Sequence, residues 1–259
     1  MVTGVPTVTE KTLMKTLLTA TTIFALCAST AAAQFITPTG SFGALPAGVT
    51  FGGDGIPGPV MSTTLGNGSL LVLGASQRFN NAPLTNNGAG TYFAAPGTDI
   101  NTVNPQPGFA RWNFNFHISG QNAGAYDYRL FYDFNPATAG LQSSFGFVNL
   151  LGSSFPASRV VQNSWNLGMS FLTTGAPGVT PPPGVFNALT AGTYSFALVA
   201  YTPVTTGDPG KRFSDEIGRV AMNVNVVPEP ASIVLMATGL IGTGLVVRRR
   251  RRTTAAARV

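Results

Sequence analysis

Cysteine, histidine and charge are what this chain of 259 residues has least of. Cys27 is its one cysteine and His117 its one histidine. A lone thiol excludes an internal disulfide framework and a thiolate zinc site, and a lone imidazole excludes a histidine-based metal cluster. His117 falls on the polar face of an expected strand, and no nucleophile-elbow motif accompanies it, so we read it as a surface residue and not as part of a Ser-His-Asp site. Acids are sparse as well. Asp127 and Asp133 share one face of a strand but stand about 20 Å apart along it, too far for either glycosidase geometry. The neighbours Asp215 and Glu216 point to opposite sides of an extended backbone. Oxygen ligands for calcium are limited to Asp54, Asp99 and Asp208 in loops, without an EF-hand or repeat pattern. Gly207 to Arg212 lacks the spacing of a phosphate loop. We therefore expect no catalytic residue, no metal and no cofactor.

The formal net charge of +6 is also an absence once it is partitioned. Between Gln34 and Val227 the bases Arg78, Arg111, Arg129, Arg159, Lys211, Arg212 and Arg219 cancel the acids Asp54, Asp99, Asp127, Asp133, Asp208, Asp215 and Glu216. The basic excess belongs to the two ends, so a nucleic-acid partner is not expected.

Long apolar runs are confined to those ends. Met14-Lys15, the apolar stretch Thr16 to Ala28 and the small residues Ala31-Ala32-Ala33 have the three parts of a secretory signal, with cleavage expected after Ala33 to leave Gln34. Glu10 and its neighbours are foreign to such a signal, so Met14 is the alternative start expected of this reading. Leu26 before Cys27 is not the small residue a lipoprotein signal needs. At the other end, Ala231 to Val247 is free of charge; at about 1.5 Å per residue it forms a helix of roughly 25 Å, slightly short of a ~30 Å hydrocarbon core. Arg248, Arg249, Arg250, Arg251 and Arg252 follow at once and place that side in the cytoplasm, leaving residues 253–259 as a cytoplasmic tail. Just before the run, Pro228, Glu229 and Pro230 hold the backbone extended, because each proline fixes its own φ and disfavours helix in the residue before it.

The ordered trio of Pro228-Glu229-Pro230, the glycine-interrupted span and the arginine block resembles the PEP-CTERM sorting signal of Gram-negative bacteria, also catalogued as ice-binding protein C-terminal. The resemblance covers residues 228–252, with Ala231 and Ser232 matching directly after the tripeptide; the tail from Thr253 to Val259 is longer than usual. It implies recognition by exosortase, a membrane protease-transferase, and an inner-membrane precursor with a periplasmic ectodomain. Processing would then deliver the protein to the cell surface or extracellular matrix, where such proteins accompany exopolysaccharide production. A membrane anchor that is never cut has the same topology.

What lies between, residues 34–227, is rich in Gly, Asn, Thr, Ser and Phe and alternates more readily than it follows a helical period. Arg111 to Ser119 places Trp112, Phe114, Phe116 and Ile118 on one face and Asn113, Asn115 and His117 on the other. Tyr126 to Phe134 repeats the pattern, so that Asp127 and Arg129 can pair in solvent, and Gly120 to Gly124 reads as a hairpin connection between the two. Ser69 to Ser76, Ser144 to Leu151, Val160 to Leu172, Gly192 to Tyr201 and Arg219 to Val227 are further strands. Gln34 to Gly68 reads as edge strands or a lead-in, Asn80 to Gln106 as loop, Pro181-Pro182-Pro183 as surface loop or spacer, and Asp208 to Lys211 as a type II turn. The expectation is an all-β, antiparallel sandwich of jelly-roll or immunoglobulin-like kind.

For function, the leading expectation is a structural or adhesive matrix protein. A carbohydrate-binding module is second, with Tyr92, Trp165 and Tyr201 as the rings on which sugars would stack. A secreted hydrolase using His117 or Asp127 is third.

Overall fold

The computed structural model describes residues 36–52, 58–79, 82–99, 106–136, 144–203 and 213–228, all within the unit Gln34–Val259. The signal segment with Ala31, Ala33 and Gln34, the turn Asp208 to Lys211, the acid Asp54, and Glu229 and Pro230 with the span Ala231 to Val247 and Arg248 to Arg252 lie outside the described residues. Among the described residues no helix is long and apolar enough to cross a membrane.

Two sheets face each other. The smaller has five strands in the order β1 (Ser41–Gly43), β2 (Val60–Thr64), β3 (Leu70–Gln77), β6 (Trp112–Ser119) and β9 (Val161–Trp165). The larger has seven, in the order β10 (Val179–Thr180), β8 (Gly146–Leu150), β7 (Asp127–Tyr132), β11 (Gly192–Pro203), β12 (Phe213–Val226), β5 (Thr91–Ala94) and β4 (Thr85–Asn86). The apolar face expected of β6 is the centre of the core: Trp112, Phe114, Phe116 and Ile118 are buried, and Phe114 stacks on Phe196 of β11 at 4.7 Å between ring centres. Alternation on β11 puts Phe196, Leu198 and Ala200 into the same core and turns Ala197, Val199 and Tyr201 to a second apolar layer with Ile36, Phe145 and Ala221. Buried tyrosines tie loops to this core. Tyr128 donates to the Ala123 carbonyl at 2.8 Å, Tyr132 to Leu172 at 2.9 Å and Tyr92 to Pro59 at 2.8 Å. Burial raises the pKa of each phenol, Tyr128 to about 12, so all three keep the proton they donate.

Several expectations are corrected. β5 and β12 pair in parallel, Val226 beside Ala94, so the seven-stranded sheet is mixed. β6 and β7 do not form a hairpin. β6 pairs with β3 and β9, and β7 with β11 and β8. The connection between β6 and β7 holds a 3₁₀ turn at Ala123–Ala125, and that turn carries the chain from one sheet to the other. Val160 to Leu172 is a strand only through Trp165; a short helix, α1 (Ser170–Thr174), follows. Asn80 to Gln106, expected as loop, contains β4 and β5. Within the proline run Pro182 is buried, its ring lying where a Cβ on Gly146 would fall.

His117 is the sharpest correction. It is 1 % exposed, not on the surface, and its Nδ1 lies 2.9 Å from the Thr50 carbonyl. Since a carbonyl only accepts, Nδ1 carries the proton. The outer face of the five-stranded sheet is covered at this point by Val49 and Phe51, which cluster with Val60 of β2 and Val72 of β3, and the Phe51 ring meets His117 edge-on at 6.3 Å. Beside it Asn115 donates to the Ser76 hydroxyl at 3.2 Å and Asn113 to Ser164 at 3.3 Å. A polar face can be buried when its groups satisfy one another in this way.

Candidate functional site

The C-terminal strand is the element that positions the processing segment. β12 lies between β11 and β5, with Val226 opposite Gly192 on one side and Ala94 on the other. The ladder continues one residue further, where the Val227 N–H donates to the Ala94 carbonyl at 2.9 Å. Pro228 has no N–H to donate, and it is exposed. Pro228 thus follows directly on an interior strand of the sheet, and Glu229 is the next residue in sequence.

Loops gather around this strand end. Gly192 begins β11 there, Ala94 ends β5 and Tyr132 ends β7, as the strand registers require, and Trp112, which begins β6 opposite Gln77 at the end of β3, joins them through its ring contact with Tyr194 at 5.7 Å. A cleft of about 330 Å³ opens at the same end, lined by Arg78, Phe79, Thr85, Ala95, Asp99 and Arg111 among others. The Arg78 guanidinium lies between the rings of Phe79 and Phe109, 4.3 and 4.4 Å from their centres, and its Nε is 3.2 Å from Asp99 Oδ2. Phe79 is 49 % exposed and holds φ at +68°, a left-handed backbone that is rare for an aromatic residue. The exposed Arg111 lies over Gly97, where an added Cβ would come within 2.8 Å of its Nε, and that Nε donates to the Thr98 carbonyl at 3.3 Å. A second cleft, of about 430 Å³, lies along the β8 and β9 side and is lined by Asn149, Leu150, Ser154, Phe155, Val161 and Pro177, none of them titratable.

The acids are engaged structurally. Asp127 is buried and accepts from the Gly152 N–H at 2.8 Å, in place of the expected pairing with Arg129. Arg129 instead donates to Asn149 Oδ1 at 3.0 Å and covers the Phe147 ring at 4.4 Å. Asp133 is 1 % exposed; its Oδ1 accepts from the Ser195 N–H at 3.2 Å and its Oδ2 has no hydrogen-bond partner. Burial pushes its carboxyl up to about 8. Glu216 pairs with Arg219, and Asp99 with Arg78. Asp54 and Asp208 lie outside the described residues, and among those described no group of three or more His, Cys, Asp and Glu converges on one point.

The three aromatics expected to stack on sugars are not brought together. Tyr92 is buried in the core with 1 % exposure, which leaves no ring face for a ligand. Trp165 is half-buried, with Phe116 at 4.7 Å and Phe171 at 5.1 Å. Tyr201 belongs to the apolar layer on the outer side of the larger sheet. An exposed ring of the kind sought is Phe79, hidden from sequence reading because it lies in a loop with no alternation to mark it.

Sequence reading also missed Asn166. Wholly buried after β9, it accepts from the Ala110 N–H at 2.9 Å and donates to the Ala110 and Trp112 carbonyls at 2.9 and 2.8 Å and to Asn113 Oδ1 at 2.9 Å. One amide side chain thereby fixes the start of β6, beside the cleft.

A β-sandwich whose interior strand β12 is followed in sequence by Pro-Glu-Pro, an uncharged run and an arginine block has the build of a sorted extracellular protein. The comparison with known families agrees: residues 226–252 match the PEP-CTERM protein-sorting motif. The motif marks the chain as an exosortase-sorted extracellular protein, made as a membrane-anchored precursor and then processed. No curated protein and no solved structure matches the chain.

Proposed function

We propose that the sandwich is a structural, adhesive component of an extracellular polysaccharide matrix, delivered there by exosortase after export through the inner membrane. The observation that supports this reading is the direct passage from a complete interior strand into the sorting motif, with Val227 still hydrogen-bonded to Ala94. Every ladder among the described residues is made before Pro228, so a product cut beyond it is expected to retain its fold. The proposed role is non-enzymatic, a reading supported by the buried bonds that Asp127, Asp133 and His117 make to the backbone. Cells producing the Pro228→Ala/Glu229→Ala/Pro230→Ala variant test the delivery: the variant is expected to accumulate uncut in the inner membrane, with the matrix fraction depleted of it and cell cohesion reduced. Normal processing of that variant would refute the reading.

A carbohydrate-binding role is the second reading, favoured by the exposed Phe79 ring beside Arg111 at the cleft of about 330 Å³. Glycan-array binding by the wild type that is lost in Phe79→Ala would establish it, and a blank array would remove it.

A further inference from the structure

The exposed apolar side chains are unevenly distributed. Among the described residues five large apolar side chains are exposed: Val185 at 88 %, Leu189 at 65 %, Phe79 at 49 % and Val227 at 38 % belong to the loops and strand end around Pro228, and Ile217 at 40 % stands alone toward the start of β12. These are not frayed side chains. In the loop before β11, Phe186 and Ala188 are buried, the Leu189 N–H is held by Asn187 Oδ1 at 2.9 Å, and the Ala188 carbonyl accepts from the Gly97 N–H at 2.9 Å. Tyr194 on β11 donates to the Thr190 carbonyl at 3.1 Å. Val185 and Leu189 are therefore presented outward by a pinned loop.

Charge is arranged to match. Among the described residues at this end, Asp99 is paired with Arg78, Asp133 is buried, and the guanidinium of Arg111 is exposed with one nitrogen on Thr98. The sequence stretches 100–105 and 137–143, in the connections from β5 to β6 and from β7 to β8, contain no charged residue, and the sequence directly after Pro228 contributes one acid, Glu229. The exposed acids Asp215 and Glu216 stand toward the start of β12, the opposite end of the sandwich.

The length of chain beyond Pro228 says what covers this end. The uncharged run begins at Ala231, and three extended residues span at most about 11 Å. The interfacial layer of a bilayer is itself roughly 5–8 Å deep on each side, so the fold has almost no room to stand away from it.

We infer that the pole bearing Val185, Leu189, Phe79 and Arg111 is a membrane-contact face, which rests on an anionic lipid surface while the precursor awaits processing. The apolar side chains enter the interfacial layer and Arg111 meets lipid phosphate. This contact rests on the sorting reading, because the anchor brings the pole to the bilayer. It holds Pro228 at a fixed height, where a membrane protease reaches it, and it is given up once the anchor is removed.

The test uses the full chain with Cys27→Ser and a single introduced cysteine, Leu189→Cys, labelled with an environment-sensitive fluorophore and reconstituted into vesicles of mixed neutral and anionic phospholipid. Gln121→Cys, exposed at the opposite end, is the reference, and Val185→Cys guards against a local disturbance at Leu189. Quenching by a headgroup-level lipid quencher is expected to be several-fold stronger at Leu189 and Val185 than at Gln121. Equal quenching at all three sites in chains that float with the vesicles would overturn the contact alone. Failure of the chains to float would overturn the anchor reading, and the contact with it.

Discussion

Asp133 ends the run of β7 with one oxygen on the Ser195 N–H and the other without a hydrogen-bond partner, a costly arrangement for a charged carboxylate and a cheaper one for a neutral acid. Its folded pKa of about 8 lies above the ordinary 3.8, so as pH rises the unfolded chain releases this proton first. The stability contribution of the neutral acid is complete below about pH 4 and is lost progressively up to about pH 8, a change on the order of a few kcal/mol. Asp133→Asn keeps an acceptor for Ser195 and has no such titration; denaturant unfolding between pH 5 and pH 9 is expected to show a flatter profile for the variant, which becomes the more stable protein at the alkaline end. His117 has the opposite sign. Burial lowers its pKa below 6.5, so the unfolded chain takes up the proton first as pH falls, and stability is lost on the acid side of that value. His117→Gln is expected to remove that acid-side loss when unfolding is followed by denaturant titration. Asn166 presents a different dependence, on donors and acceptors in one side chain. Asn166→Asp keeps the acceptor for Ala110 but loses the donors to Ala110 and Trp112, and a cost of about 3 kcal/mol or more in the unfolding free energy is expected.

At the scale of elements, the informative pair is β5 with β12. Four residues, Thr91 to Ala94, are too few to display a period, and they follow a stretch dense in Asn and Gly; that is why β5 could not be read from sequence. Its place beside β12 depends on Gly90, which turns the chain at φ +90° and whose carbonyl accepts from the Asn223 N–H at 2.9 Å. A Cβ there would lie 2.6 Å from Met61 Sδ and 2.9 Å from Pro38 Cβ. Gly90→Ala therefore combines left-handed strain with overpacking and is expected to cost roughly 2–4 kcal/mol, measured by thermal or denaturant unfolding. Strand β6 teaches the converse. Its apolar face, Trp112 to Ile118, was legible because alternation marks it, whereas its polar face was assigned to solvent and is buried. Alternation reports which side chains differ in polarity. It does not report whether a segment far away in the chain, here Val49 to Phe51, will cover the polar side and supply a carbonyl to His117. The hairpin expected between β6 and β7 failed for a related reason: turn-forming residues in a connection do not say whether it returns to the same sheet or crosses to the facing one.

For the whole molecule, the tail was the most legible part of the sequence, since rigidity, apolarity and positive charge in that order are physical signals needing no tertiary context. The matching residues 226–252 agree with that reading. The body was legible as class and not as site. Tyr92 and Trp165 looked like ligand platforms because aromatic residues in strands look alike from sequence whether they face the core or a ligand. The end of the sandwich is where the parts meet: an interior strand, a pinned loop with outward apolar side chains, and the exit at Pro228.

The measurement that tests this account most directly is mass spectrometry of the intact protein recovered from outside the cell, read for its C-terminal residue. Sorting through the motif predicts a terminus close to Pro228, Glu229 or Pro230 with the block Arg248 to Arg252 absent. A recovered protein that still ends in its arginine-rich tail would contradict it.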